Sequence, residues 1–317
     1  MGFTGSLKEF AGLPVVGFPP APGAPLPEVG EVAEAAWRID VFNDERPSEP
    51  FAIDDVFERF LDTVDTERVT ALVVGSWAEL SQVDGHPARL LTESAQRLPA
   101  LRALSLGDVA DEIMYVEHSD LTPMLQAYPG LEELWVRGTP DLSQKPSRYF
   151  EPLRHTGLRR LVLPSGGLHP DVIHAISECD FPELRHLELY LGQPAWCGWA
   201  KPGDLAWLMA GGTFPKLRHL GLRNALIQDE VAAAVAQAPV VAGLSVLDLS
   251  LGALGDVGGQ ALLRGQPLGH LAALDLHHNY FSEAMQDRLR TAWPGVDVDL
   301  SETQTEYNGR RFVAVAE

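Results

Sequence analysis

The sequence predicts an α/β solenoid, with a parallel sheet on its concave face and helices and irregular turns on its convex face. Three observations predict it. Leu217-Arg-His-Leu220-Gly-Leu222 returns as Leu244-Ser-Val-Leu247-Asp-Leu249 and as Leu271-Ala-Ala-Leu274-Asp-Leu276, each copy 27 residues after the last. The same frame, an apolar residue followed by others three and five positions later, starts at Val69, Leu101, Leu131, Leu158, Leu184, Leu217, Leu244, Leu271 and, more weakly, Trp293. Alanine-rich segments of helical spacing fill the second halves of several units. A unit this short cannot bury its apolar face alone, whereas stacked neighbours build one continuous core.

Taken in order, residues 1–66 read as an extended arm followed by a strand–helix cap. Pro14, Pro19, Pro20, Pro22, Pro25 and Pro27 forbid a regular helix there. Phe3, Phe10, Leu13, Val15 and Val16 imply that parts of the arm lie against the body. Trp37 to Val41 alternates as a half-buried strand, Asn43 to Pro50 is a polar turn, and Phe51, Val56, Phe57, Phe60 and Leu61 fall at helical spacing. Residues 67–300 form the array of about nine units. The Leu131 unit carries Pro140, Pro146 and Pro152, so an irregular turn is expected in place of its helix. The Leu184 unit is 33 residues long and inserts Pro194 to Pro202, a loop expected to pack through Trp196 and Trp199. Residues 301–317 supply a turn at Asn308-Gly309 and an alternating strand, Arg311 to Ala316. That strand is expected to lie beside the last repeat and close its edge.

The L-x-x-L-x-L spacing resembles that of leucine-rich repeat proteins over Val69 to Leu300, and the helical second halves, such as Leu254 to Leu263, are most similar to the ribonuclease-inhibitor-like subclass. Phe10 to Pro14, Leu274-Asp-Leu-His-His-Asn279 and Arg311 to Val315 also resemble a group of actinobacterial intracellular leucine-rich repeat proteins, which brings no established activity with it. The resemblance implies a horseshoe and a partner bound on its concave face. One departure matters. Family members place Asn eight residues after the first leucine, where its amide satisfies turn backbone, and here only Asn279 does so, with Gly166, Gly192, Gly252, Ala225, Thr139 and Val109 elsewhere.

Composition narrows the function. A net charge of −20, without a Lys/Arg run, argues against nucleic acid and anionic membranes. No apolar run is long enough to span a bilayer and no secretion signal is present. Met1 to Ser6 fits the loose N-myristoylation pattern, but only four of the 24 basic residues are lysines, a bias of GC-rich bacterial genomes, in which that modification is not expected. Two cysteines, Cys179 and Cys197, fit a reducing compartment rather than a disulfide framework. A cytoplasmic monomer is the expectation.

No cofactor motif appears, and none is expected to bind. Gly252, Gly255, Gly258 and Gly259 follow a strand and precede a helix, but their spacing is not that of a dinucleotide loop. The expected function is a non-catalytic scaffold that grips a protein or peptide partner with the outward positions of its strands. The candidate contact residues are Trp135, Arg137, Arg160, Glu188, Tyr190, Arg223, Asp248, Asp275 and His277, a set rich in the residue types that dominate interface energetics. The alternative is a metal-assisted hydrolase built on Asp248, Asp275 and His277, with Asp299 beside them.

Overall fold

The structure, a computed structural model, describes residues 6–42, 51–77, 86–109, 116–143, 145–196 and 198–315, with Trp196 described by its backbone alone. The predicted turn at Asn43 to Pro50, the N-terminal lipidation pattern up to Gly5, and Cys197 fall outside these residues. The chain divides into two compact units, Met1–Arg159 and Arg160–Glu317. No helix among the described residues is long and apolar enough to cross a membrane.

The first unit is a mostly parallel sheet. A short hairpin joins β1 (Glu9–Phe10) to β2 (Leu13–Gly17) antiparallel, and β3 (Ala36–Ile39), β4 (Ala71–Val74), β5 (Ala103–Leu106) and β7 (Glu133–Val136) follow β2 in parallel register. A separate parallel pair, β6 (Glu117–His118) and β8 (Thr139–Pro140), accompanies it. Helices α1 (Ile53–Thr63), α2 (Pro87–Glu93) and α3 (Thr122–Ala127) occupy the connections. The arm and cap are therefore not appended to the repeats; β2 and β3 are early strands of the same parallel register. As expected, no helix forms among the described residues 141–159.

The second unit holds six parallel strands in chain order: β9 (Arg160–Leu163), β10 (His186–Gly192), β11 (His219–Ala225), β12 (Val246–Asp248), β13 (Ala273–Asp275) and β14 (Asp297–Asp299). Between them run α4 (Pro170–Ser177), α5 (Ala206–Met209), α6 (Gln228–Val235), α7 (Asp256–Arg264) and α8 (Glu283–Ala292). Leu161, Leu187, Leu220, Leu247 and Leu274 stack in register and are fully buried. Their alternation with polar residues is the period of two that places one set of side chains on each face.

The turns explain the missing asparagines. Asn279 donates to the Leu249 and Leu276 carbonyls and accepts from the Leu254 amide. In the Leu217 unit Gln228, also buried, does the same work from α6, accepting from Ala225 N–H and donating to Leu222 C=O. A Cβ at Gly252 would stand 2.5 Å from that Gln228 Oε1, so the glycine makes room for the substitute amide. Gly258 and Gly259 have a packing role as well: a Cβ would run into Leu254 and Asp229 at the first, and into Phe281 and Met285 at the second. They let α7 approach its neighbours.

The C-terminal segment departs from expectation. The Asn308-Gly309 turn forms, bridging Tyr307 to Arg310, but residues 311–315 do not pair with β14. They run across the turns that follow β13 and β12 and the end of β11. Tyr280 Oη meets the Phe312 backbone, Ala314 N–H donates to Leu251 C=O, and Asn224 takes both the N–H and the C=O of Val315. Arg311 is drawn there by Asp229, at 3.3 Å, and by the Ala253 carbonyl. Trp199, expected to pack, is 50% exposed, edge-on to His169.

Candidate functional site

The site is the face of the second unit's sheet that points away from the leucines. Parallel register places outward side chains of successive strands at one strand spacing, ~4.8 Å, so charged groups at equivalent positions meet. Glu188, Gly221, Asp248, Asp275 and Asp299 form one row, and Arg160, His186 and His219 form another. Tyr190 faces Arg223.

Arg223 organises the centre. Its Nη1 donates to Glu188 Oε2 at 2.8 Å, its Nε lies 3.0 Å from both Ser250 Oγ and Asp248 Oδ2, and its guanidinium lies over the Tyr190 ring, 5.1 Å from the centroid. Gly221 makes this possible, because a Cβ there would stand 2.8 Å from Glu188 Cγ and 3.3 Å from Arg223 Cδ. Arg160 Nη2 reaches within 3.7 Å of Glu188 Oε1. On the same oxygen converge His186 Nε2 at 2.5 Å and His219 Nε2 at 3.6 Å, with the two imidazoles stacked 3.7 Å apart at an interplanar angle of 14°.

Burial penalises the Glu188 charge, but His186 and Arg223 outweigh it and hold the carboxyl well below the usual range. Burial also lowers Arg223's tendency to stay charged, and Tyr190, Asp248 and Glu188 overcome it, leaving the guanidinium more firmly charged than usual. Asp248 is different: burial lifts it to about 6, against the pull of Arg223 and with Asp275 adding to the rise. Its other oxygen accepts from Ser250 N–H at 2.9 Å. At the next strand, Asp275 Oδ1 accepts from His277 N–H at 3.0 Å and sits 2.6 Å from His277 Nδ1. That hydrogen bond raises the His277 pKa in spite of partial burial.

The structure thus brings seven of the nine sequence-derived candidates together: Arg160, Glu188, Tyr190, Arg223, Asp248, Asp275 and His277. They are less accessible than the strand pattern implies. Glu188, Tyr190, Asp248 and His277 are buried, whereas Arg160, Asp275 and Asp299 reach solvent. The physical reason is lateral pairing: ions one strand spacing apart neutralise each other and fold flat over the sheet. For the hydrolase alternative the consequence is that Asp248 is committed to Arg223 and Ser250, while Asp299 joins Asp275 and His277, with one potential ligand atom from each within 4.8 Å of the others. A groove of about 480 Å³ is lined by Asp256, Val257, Gln260, Arg264 and Met285, on α7 and α8 rather than over this cluster.

Trp135 and Arg137 belong to the first unit. There Phe10, with Leu7, Leu13 and Val15, packs onto Ala36, Ala71, Val73, Ala103 and Trp135, and the Phe10 and Trp135 rings meet edge-on at 5.9 Å. Leu7 N–H donates to Asp108 at 3.0 Å. Arg137 is buried against the same Asp108, at 3.4 Å, and the Val109 carbonyl. The N-terminal segment thus packs against Trp135, one of the outward positions of this unit. Two histidines with a recoverable sequence signal were missed as a pair. His186 and His219 stand at the same place in two copies of Leu-Arg-His-Leu, and equal places in successive units become neighbours.

No protein-family model and no curated protein matches the chain. Among solved structures, a Bacteroides fragilis protein superposes with a TM-score of 0.72 at 25% identity, covering 79% of this chain and 71% of its own. An internalin from Listeria monocytogenes aligns at a TM-score of 0.42 and 14% identity, over 86% of this chain and 69% of its own, too distant to carry an argument. The fold is an α/β repeat architecture with a mostly parallel sheet, compatible with a leucine-rich repeat solenoid.

Proposed function

We propose that the chain is a non-catalytic interaction scaffold that holds a protein or peptide partner on the sheet face of its second unit. One observation carries this reading: the outward row is a rigid, internally paired polar platform whose fringe, Arg160, Asp275 and Asp299, reaches solvent. Locked side chains lose little entropy on binding, so a platform of this kind is pre-organised for contact. A positive fringe group at Arg160 and negative ones at Asp275 and Asp299 set the register of a partner more than they set raw affinity. Nucleic acid and membranes are not part of this reading, given the net charge of −20, and the protein acts as a cytoplasmic monomer.

The test uses a photo-crosslinking residue placed at Arg160 or Asp275 in the native cell, with Gln260 on α7 as the comparison. Selective adducts from the sheet positions, lost in the triple variant Arg160→Ala/Asp275→Ala/Asp299→Ala, are expected. Identical adducts from Gln260, or an unchanged profile in the triple variant, would sink the proposal.

A further inference from the structure

We propose that His186, Glu188 and His219 form a binding site for a divalent transition metal of the zinc class, leaving a fourth coordination position to water. Two imidazoles and one carboxylate form a ligand set that zinc accepts. The strand register builds it: positions 186 and 219 are partners across β10 and β11, and Glu188 lies two residues on from His186, on the same face. Both Nε2 atoms lie near one carboxylate oxygen, at 2.5 and 3.6 Å.

The donor spacing is close to what coordination needs, and the near-parallel rings have to turn for both lone pairs to meet one ion. Bonds of about 2.1 Å in a tetrahedron space ligand atoms about 3.4 Å apart. The His219–Glu188 separation of 3.6 Å already fits. The His186–Glu188 contact has to open by about 1 Å to admit a metal. His219 Nε2 is a buried nitrogen with no hydrogen-bond partner among the described residues, the mark of a group shaped for something other than its present neighbours.

The nearby cations do not close the site. Arg223 occupies the other oxygen of Glu188, Oε2, and so orients the carboxylate with Oε1 towards the imidazoles, as outer-shell partners of metal ligands do. Arg160 lies 3.7 Å from Oε1 with 37% of its side chain exposed, and it has solvent to move into. The neighbouring Asp275/His277/Asp299 group offers a single imidazole and includes an exposed carboxylate, and it serves as the internal control.

The test is a titration of the full, tag-free chain, stripped with a chelator, with Co²⁺ and then with competing Zn²⁺. One equivalent of Co²⁺ with visible bands of a four-coordinate ion, displaced by Zn²⁺, is expected. His186→Ala and His219→Ala should each weaken binding by more than about 100-fold, beyond the range for outer-shell partners, and Asp299→Asn should leave it unchanged. In the Co²⁺-loaded wild type, hyperfine-shifted ring N–H resonances should come from two histidines, a readout that needs no variant to fold. Absence of stoichiometric uptake, uptake sensitive to Asp299→Asn but not to His219→Ala, or a single shifted histidine would each overturn the assignment.

Discussion

Replacing Arg223 with Met keeps most of its volume and stem while removing the charge that serves two buried carboxylates. Glu188 and Asp248 are 5% and 4% exposed. Breaking a buried ion pair by removing one partner costs about 3–5 kcal/mol. The cost also has a ceiling, because a stranded carboxylate can take a proton instead. From an unfolded pKa near 4.3 that costs about 4 kcal/mol at pH 7, at about 1.4 kcal/mol per pH unit. His186 remains beside Glu188, so about 4 kcal/mol in total is the expected loss at pH 7. The sign with pH follows. Without Arg223, a carboxyl whose folded pKa lies above its unfolded value binds protons preferentially in the folded state, so relative stability rises as pH falls. The deficit against wild type should shrink to about 1–2 kcal/mol at pH 5. Urea unfolding of both proteins at pH 7 and pH 5 measures it, and Arg223→Met/Glu188→Gln should recover part of the loss at pH 7. A deficit under about 1 kcal/mol at pH 7, or one that does not change with pH, would refute the view that Arg223 neutralises this face.

Three further outcomes are expected. Leu247→Ala, at a fully buried position of β12, should cost roughly 2–5 kcal/mol in urea unfolding; a cost below that range would mean the leucine stack is not the core. His118 is fully buried beside His86, accepts nothing more once its Nε2 serves the Arg137 carbonyl and its Nδ1 faces His86, and is held by burial at about 4. Its contribution is present above pH 6.5 and is lost as pH falls towards 4, roughly 3 kcal/mol in all; ring nitrogen shifts that report a charged His118 at pH 5 would contradict it. Asn224→Ala removes both hydrogen bonds to Val315. At about 1 kcal/mol each that should speed carboxypeptidase trimming of the C-terminal segment by roughly tenfold or more, and an unchanged rate would mean the segment is held elsewhere.

What could be read from the sequence was what a single strand dictates. The leucine frame fixes which side chains enter the core, so the strands from Ala71 to Asp299 were legible, and so was the missing helix after Thr139, where prolines remove donors. What could not be read depends on neighbours in space. Gln228 replaces an expected turn asparagine only because α6 returns beneath the Leu222 carbonyl. Phe10 was recognisable as a residue that lies on the body, but its seat against Trp135 follows from how the β1–β2 hairpin folds over the sheet. The alternation at Arg311 to Ala316 looked like a strand, yet the chain there is captured by Asp229 and Asn224 before it can reach β14. The burial of Glu188 and Tyr190 was invisible for the same reason. It requires Gly221 on the next strand, whose missing side chain leaves the space into which Glu188 and Arg223 fold.

The division between a buried centre and an exposed fringe decides how this face can be interrogated. A buried network of Arg223, Glu188 and Asp248 is dearer than an apolar packing of equal volume, so it contributes little to stability that leucine could not. Its effect is geometric. Two carboxylates and a tyrosine ring fix the guanidinium, and the guanidinium, on Oε2, orients the Glu188 carboxylate whose Oε1 lies beside both imidazoles. Substitutions at the centre therefore change folding and the imidazole site together. Those at Asp275 and Asp299 leave the Arg223 network standing, whereas Arg160 also lies 3.7 Å from Glu188 Oε1. A partner effect that tracks Asp275 and Asp299 and a metal effect that tracks the two histidines are separable on one protein, because neither acid belongs to the His186, Glu188 and His219 set.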